Sequence, residues 1–135
     1  MYKNKTLVTF LAAAAGSLGV HRFYLKGWRD QWGWLHLACL PITLAAIGLG
    51  LGQQIFFQCA PLWLSMLGGL LEALVLGLIP DEQWDQRYNR DSARVSASGW
   101  PLALLLVLTL GVGATALIGV IARSFDLLFT GGAFG

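Results

Sequence analysis

Long apolar runs, interrupted by only two polar stretches, are the feature that most restricts how this chain can fold. Charged residues make up 12% of its 135 residues, whereas a soluble domain carries about 25%. An apolar run of about 20 residues is long enough to cross the hydrocarbon core of a bilayer as a helix. We therefore expect an all-α integral membrane protein with four transmembrane helices, in contact with the lipid bilayer.

The expected transmembrane helices follow the apolar runs, at about residues 6–25, 33–51, 55–79 and 100–122. The first run is apolar only as far as Val20, which gives a helix of about 22 Å against a hydrocarbon core of about 30 Å. It crosses the membrane only if it continues through His21 and Arg22, which places both at the membrane boundary. Residues 1–98 then form one membrane region, and residues 99–135 add the fourth helix and an apolar C-terminal tail.

The polar stretch 80–98 predicts a short helix lying on the membrane surface between the third and fourth transmembrane helices. Pro80 followed by Asp81 and Glu82 is a favourable helix start, because acidic side chains stabilise the first turn. Trp84 and Tyr88 are four residues apart and share a face of that helix. The sequence "SASGWP" predicts serine caps at the start of the fourth helix.

The distribution of basic residues predicts an orientation. Four spans place loops 21–33 and 80–98 on one side of the membrane and both termini on the other. The loop side carries six lysines and arginines and the terminal side three, which favours cytoplasmic loops and termini outside. We expect a bacterial inner membrane. The residues expected at the membrane interface are Trp28, Trp32, Trp84, Arg87, Tyr88 and Trp100.

Glu72 is the only acidic residue inside an apolar segment, and a carboxylate in that position requires a partner. We expect it to pair with Arg22, with His21 or a tyrosine hydroxyl as an additional donor. The favoured interpretation is a structural ion pair. The functional alternative is a proton relay.

Small residues recur at a spacing of four, which lets helices approach closely within a membrane. The three stripes are Ala15 and Gly19; Gly69, Ala73 and Gly77; and Gly111, Thr115 and Gly119. They serve either the packing of this chain's own helices or the contact with a partner helix.

Other kinds of site have little support in the sequence. His36 and Cys39, with Cys59 or His21, are too few ligands at too loose a spacing to predict a metal site. We therefore expect no metal and no cofactor, and we interpret the two cysteines as free thiols. There is no nucleophile–base pair, so we do not expect an enzyme. A net charge of +2 does not indicate a nucleic-acid partner.

The segment "GSLGVHRFYLKGW", residues 16–28, resembles the signature of the TM2 domain family. That family has a lysine-flanked first helix and a glycine pair before an (H/D)RFYLG motif. The matching positions are Lys5, Gly16, Gly19, His21, Arg22, Phe23, Tyr24 and Leu25. Lys26 stands where the family usually has glycine, and the similarity covers roughly residues 3–50. The resemblance implies a small integral membrane protein with the signature in a short cytoplasmic loop. It supplies no catalytic residues.

These observations favour a non-enzymatic membrane protein that acts through association. It would be an accessory or assembly subunit of a larger membrane complex, or a homo-oligomer, with Arg22 and Glu72 as a structural pair. The alternative is a small oligomeric channel or a proton or ion transporter that uses Glu72, Arg22 and His21. A membrane enzyme or metal protein built on His36 and Cys39 is the third hypothesis.

Overall fold

The computed structural model describes residues 1–52 and 54–134, and this part of the chain is helical, without β-strands. A short 3₁₀ turn, Gly16–Leu18, joins the first two helices. The seven α-helices are α1 (Lys5–Ala15), α2 (Val20–Lys26), α3 (Gln31–Gly48), α4 (Ile55–Gln58), α5 (Ala60–Gly77), α6 (Asp81–Tyr88) and α7 (Trp100–Phe129). The all-α prediction is therefore confirmed.

Two helices in the described ranges, α5 and α7, are long and apolar enough to cross a membrane. By length and composition alone they favour membrane association. The expectation of four transmembrane helices is not supported, because the first apolar helix, Lys5–Leu18, is shorter than a span and α3 is not among the candidate spans. The expected helix 55–79 is also divided, into α4 and α5.

The first apolar segment is a helical hairpin and not the single helix expected over residues 6–25. The chain changes direction at Gly19, whose backbone has a φ of +72°, and α2 then runs back along α1. As a result the Lys3 side chain donates a hydrogen bond to the carbonyl oxygen of Tyr24. Glycine adopts this left-handed conformation without the steric cost that a side chain would add.

The N-terminus lies beside the polar segment 80–98. The Lys5 ammonium donates to the carbonyl of Ile79 and to the carboxylate of Asp81, at 2.7 and 2.6 Å. The Lys3 backbone N–H donates to Asn89 at 2.6 Å. The prediction that both termini lie opposite this loop is therefore wrong for the N-terminus. The sequence did not predict the hairpin, in which the first apolar segment begins and ends at the same end of the molecule.

The hairpin gathers most of the positive charge at one end of the molecule, which we call the basic end. α7 starts at this end and runs away from it for 30 residues. Eight of the nine lysines and arginines belong to the basic end: Lys3, Lys5, Arg22, Lys26, Arg29, Arg87, Arg90 and Arg94. The ninth, Arg123, lies near the far end of α7.

The predicted short helix after Pro80 is confirmed as α6. The predicted serine caps on the fourth helix are wrong, because α7 has Gly99 at its N-cap with no side-chain hydrogen bond. Ser98 instead donates to Asp81 through its backbone N–H, at 2.7 Å, and Ser96 donates to Asp85 in the same way. These serines hold the loop against α6. The first half of the expected C-terminal tail, residues 124–129, is helical, since α7 continues to Phe129.

Helix α5 is the centre of the packing, with α1, α3 and α7 against it. The backbones of Gly69 and Gly16 meet directly, so that a Cβ on Gly69 would lie 2.6 Å from the Cα of Gly16. Gly77 accommodates Leu106 of α7, and Ala73 is fully buried. The stripe Gly69, Ala73 and Gly77 is therefore used within this chain, and it positions α5 beside the hairpin.

Candidate functional site

Arg22 and Glu72 form the predicted pair. α2 directs the guanidinium at the carboxylate on α5, with Nε 2.9 Å from Oε2 and Nη2 2.9 Å from Oε1. This is the two-pronged geometry in which a guanidinium matches a carboxylate best. The pair closes the hairpin against the central helix.

His21, the residue before Arg22, is fully buried and contacts the same carboxylate. Its Nε2 is within hydrogen-bonding distance of Oε2 of Glu72, so His21 lies where the sequence predicted an additional donor. The other ring nitrogen, Nδ1, is buried without a hydrogen-bond partner. In the described part of the chain no tyrosine hydroxyl bonds to Glu72, so that alternative donor is wrong.

His36 and Ser65 also belong to the site, and the sequence did not place them there. Nε2 of His36 lies 3.3 Å from Oε1 of Glu72, and Nδ1 lies 2.7 Å from Oγ of Ser65. Ser65 in turn lies 2.7 Å from the carbonyl oxygen of Ser17, at the tip of the hairpin. The sequence did contain one indication. Both are polar residues in apolar helices, and a buried polar side chain needs a hydrogen-bond partner.

Asp30 extends the site on the other side of Arg22. Its carboxylate lies 3.4 Å from Nη1 of Arg22 and accepts the backbone N–H of Gly33 at 2.9 Å. Asp30 thus caps the start of α3 and at the same time holds the guanidinium. We call the six residues that make these contacts the polar cluster: His21, Arg22, Asp30, His36, Ser65 and Glu72.

The fold does not support the hypothesis of a metal site at His36 and Cys39. His36 faces Glu72 and Ser65, whereas the Cys39 thiol hydrogen-bonds the carbonyl of Leu35 on its own helix. Among the residues that the structure describes, no three side chains of His, Cys, Asp or Glu are grouped to hold a metal ion. Both cysteines are free thiols in the structure.

Two cavities meet at Glu72. The first, of about 160 Å³, opens at the basic end and is lined by His21, Lys26, Glu72 and Tyr88 among others. The second, of about 340 Å³, is lined by Glu72, His36 and Ser65 and extends to Pro61, in the first turn of α5. Together the two cavities follow α5 from one end to the other, and the polar cluster stands between them.

The aromatic residues of the signature pack among themselves. Phe23 stacks on Trp28, with ring centroids 5.1 Å apart, and meets Trp34 edge to face at 5.4 Å. The ring of Tyr24 lies 4.7 Å from the Lys3 ammonium. These contacts fix the turn between α2 and α3.

The residues expected at the membrane interface differ in their surroundings. Four of them are exposed: Trp28, Trp32, Arg87 and Trp100. Tyr88 is half-buried against Trp84. Trp84 itself is fully buried, and its indole N–H donates to the carbonyl of Lys3 at 2.9 Å. Trp84 therefore anchors the N-terminus against α6.

The other two small-residue stripes differ in their surroundings. Gly19 packs on Gly33 of α3, so the first stripe serves the chain's own fold. The stripe on α7 lies in the open: Gly111, Thr115 and Gly119 are exposed, and a Cβ on either glycine would meet nothing within 4 Å.

Comparison with known protein families, with curated proteins and with solved structures finds no significant match. The resemblance to the TM2 domain family stays a prediction carried by the signature residues.

Proposed function

We propose that this chain is a non-enzymatic integral membrane protein related to the TM2 domain family. It acts through helix–helix association, as an accessory or assembly subunit of a larger membrane complex or as a homo-oligomer. The observation that carries the proposal is the surface of α7. This helix has 30 residues and high mean hydropathy, and it buries few of them within the chain.

The packed and open faces of α7 lie on different sides of the helix. Leu102, Thr109 and Leu127 are its buried residues. At about 100° per residue, Gly111 lies on the opposite side from Leu102 and Thr109. A row of small residues at that place allows the backbone of another helix to come close, which is how helices associate in a lipid environment.

The polar cluster supports a structural role within this proposal. Arg22 compensates two carboxylates, those of Glu72 and Asp30, and these contacts join α2, α3 and α5. Polar contacts between helices inside a membrane fix their relative positions. The cluster then keeps the hairpin and the central helix together, while α7 presents its open face to a partner.

For the location we propose a bacterial inner membrane, with the basic end in the cytoplasm. Cytoplasmic segments next to membrane helices carry an excess of lysine and arginine. Lys3 and Lys5, which the four-helix prediction placed on the side opposite the loops, belong to the basic end because of the hairpin. The N-terminus is then cytoplasmic, and the C-terminal end of α7 lies on the other side.

The test is purification in a mild detergent followed by native mass measurement. We expect the 14.6-kDa chain in an assembly larger than the monomer. The double variant Gly111→Leu/Gly119→Leu fills the stripe and should release the monomer. A wild-type chain that is folded and purifies alone as a monomer contradicts the proposal.

A matched control places the same side chain elsewhere on α7. Ala103 and Ala114 are small and exposed, and both lie on a flank of the helix away from the stripe. Ala103→Leu/Ala114→Leu should leave the assembly intact. Equal loss of the assembly in both double variants would mean that the stripe has no special part in it.

A further inference from the structure

We propose that the cavity at the basic end is a binding site for an anionic phospholipid of the surrounding membrane. The site has an apolar wall between α2 and α5 that contacts the lipid tail, and a group of cations that contacts the phosphate. The inference rests on the proposed membrane location, but it is independent of the open face of α7.

The cavity lies in a gap between α2 and α5. α2 packs mainly against α1 and α3, whereas side chains, above all Arg22 and Glu72, connect it to α5. Beside this connection, Leu25 of α2 and Val75 and Leu76 of α5 line the cavity of about 160 Å³. Val75 is exposed on α5, so the cavity can be entered from the side of the molecule. Because burial of apolar surface is favourable, we expect the upper part of a lipid tail to fill this gap.

Basic side chains lie beside this apolar wall. Lys26, the last residue of α2, lines the cavity directly, and Tyr88 separates the cavity from a polar recess of about 190 Å³. Arg87 and Arg90 line that recess. In the part of the chain that the structure describes, the side chains of Lys26 and Arg87 make no hydrogen bond or ion pair. Their donors are therefore available to phosphate oxygens, to which charged donors bind strongly.

The acidic residues of the site do not cancel these cations. Glu72 also lines the cavity, but Arg22 donates to both of its oxygens and compensates its charge. Asp91 lines the recess together with two arginines, which leaves one positive charge in excess there. With Lys26 the site has a net positive charge. Basic residues clustered next to a membrane helix are typical of sites that bind anionic lipids.

The arrangement of the two parts favours a phospholipid over a free phosphate ion. Val75 and Leu76 lie in the last turn of α5, and Lys26 ends α2 at the same end of the molecule. In the proposed orientation the apolar wall lies at the edge of the hydrocarbon core, and the long basic side chains extend to the level of the headgroups. A phosphate ion would leave the apolar wall uncovered, whereas a phospholipid covers the wall and neutralises the cations.

The experiment is native mass spectrometry of the purified full-length chain in a non-ionic detergent. The chain is titrated with phosphatidylglycerol, or with phosphatidylcholine that has the same acyl chains. We expect phosphatidylglycerol to bind several-fold more tightly. A basic residue near an anionic lipid surface contributes a factor of about five to binding. Lys26→Gln/Arg87→Gln should therefore lower the affinity for phosphatidylglycerol by about 10-fold or more and leave that for phosphatidylcholine unchanged.

Matched controls separate this site from a general attraction to charge. Arg29→Gln/Arg94→Gln removes the same charge from exposed residues of the basic end that line neither the cavity nor the recess, and it should keep the preference. Val75→Trp fills the cavity without a change of charge and should weaken phosphatidylglycerol binding. Leu71→Trp, at an exposed position one turn earlier on α5, should not. An excess of inorganic phosphate should not displace the lipid.

Three results would overturn the proposal: equal affinity of the wild type for the two lipids, equal loss of binding in the two charge-removing double variants, or displacement of the lipid by inorganic phosphate. Cell fractionation separates this inference from the proposed function. A chain that is recovered with the membranes but shows no lipid preference contradicts the lipid site alone. A chain that is absent from the membrane fraction contradicts the membrane location on which both proposals depend.

Discussion

The backbones of Gly16 and Gly69 are in direct contact where the tip of the hairpin crosses α5. A Cβ built on Gly16 would lie 2.6 Å from the Cα of Gly69, and backbone atoms cannot move aside as a flexible side chain does. The contact places the tip of the hairpin on α5, so that the side chain of Arg22 on α2 reaches Glu72. The TM2-like signature thus depends on a residue more than 50 positions away in the sequence.

Gly16→Ala and Gly69→Ala should each destabilise the fold, because the added methyl group forces the helices apart. Overpacking of this kind typically costs about 1–3 kcal/mol. The measurement is equilibrium unfolding in mixed detergent micelles. Gly111→Ala is the matched control, since its Cβ would meet nothing within 4 Å, and it should leave stability unchanged or slightly raised. Equal effects at the three positions would show that the close approach is absent.

Arg22→Leu and Glu72→Leu should each lower stability, since each leaves the other charge without its main partner. Breaking a buried ion pair in this way costs roughly 3–5 kcal/mol. The double variant should recover part of the loss, as measured by a double-mutant cycle in the same unfolding assay. Strictly additive losses would mean that the two residues do not interact. Arg29→Leu, at an exposed arginine of the same loop, is the control.

The contact between Lys5 and Asp81 should make the N-terminal anchor sensitive to acid. Burial acts to raise the pKa of Asp81, but the hydrogen bonds from Lys5 and Ser98 outweigh it and lower that pKa to about 2. An aspartate in an unfolded chain has a pKa of about 3.9. Because the folded pKa is the lower one, the stabilisation is complete above about pH 4 and is lost as the pH falls toward 2.

Unfolding measured between neutral pH and pH 2 tests this expectation. Asp81→Asn should be less stable than the wild type at neutral pH, and the difference should shrink as the pH approaches 2. Glu82→Gln changes the exposed neighbouring acid and serves as the control. A difference between Asp81→Asn and wild type that stays constant over this range would contradict the proposed linkage.

Reporter fusions should place the N-terminus in the cytoplasm and the end of α7 on the opposite side of the membrane. The reason is the concentration of basic residues at the end where Lys3 contacts Asn89. Fluorescent protein and alkaline phosphatase fused to the C-terminus give opposite signals for the two sides. Phosphatase activity is the expected result, and C-terminal fluorescence without phosphatase activity would show that the orientation is reversed.

Local sequence reasoning found the ion pair but not the path of the chain that makes it. Glu72 had to find a partner because a carboxylate among apolar residues is costly, and Arg22 was the nearest basic residue at the expected depth. The hairpin was missed because its causes are the positive φ of Gly19 and the meeting of Gly16 with Gly69. The sequence does not show which glycine of an apolar run has a positive φ. The contact of Gly16 with Gly69 joins residues that are far apart in the chain.

The same limit applies to His36 and Trp84. His36 is three residues from Cys39, so the sequence suggested a shared helix face, whereas the partners that decide its role lie on α5. Trp84 has the sequence context of an interfacial residue. It is buried because the hairpin returns the N-terminus to α6, where the Lys3 carbonyl accepts its indole N–H. Both placements depend on contacts between segments that are far apart in the sequence.

The most direct test of the central claim is site-specific photo-crosslinking in native membranes, with a photoreactive amino acid at Leu108 or at Leu110. Both leucines belong to α7 and are similarly exposed, at 57% and 58%. Leu108 lies along the Gly111–Gly119 stripe, whereas Leu110 lies on a flank. If the chain acts through helix association, position 108 should give a discrete protein crosslink and position 110 should give little. Crosslinks to lipid alone from both positions would contradict the account.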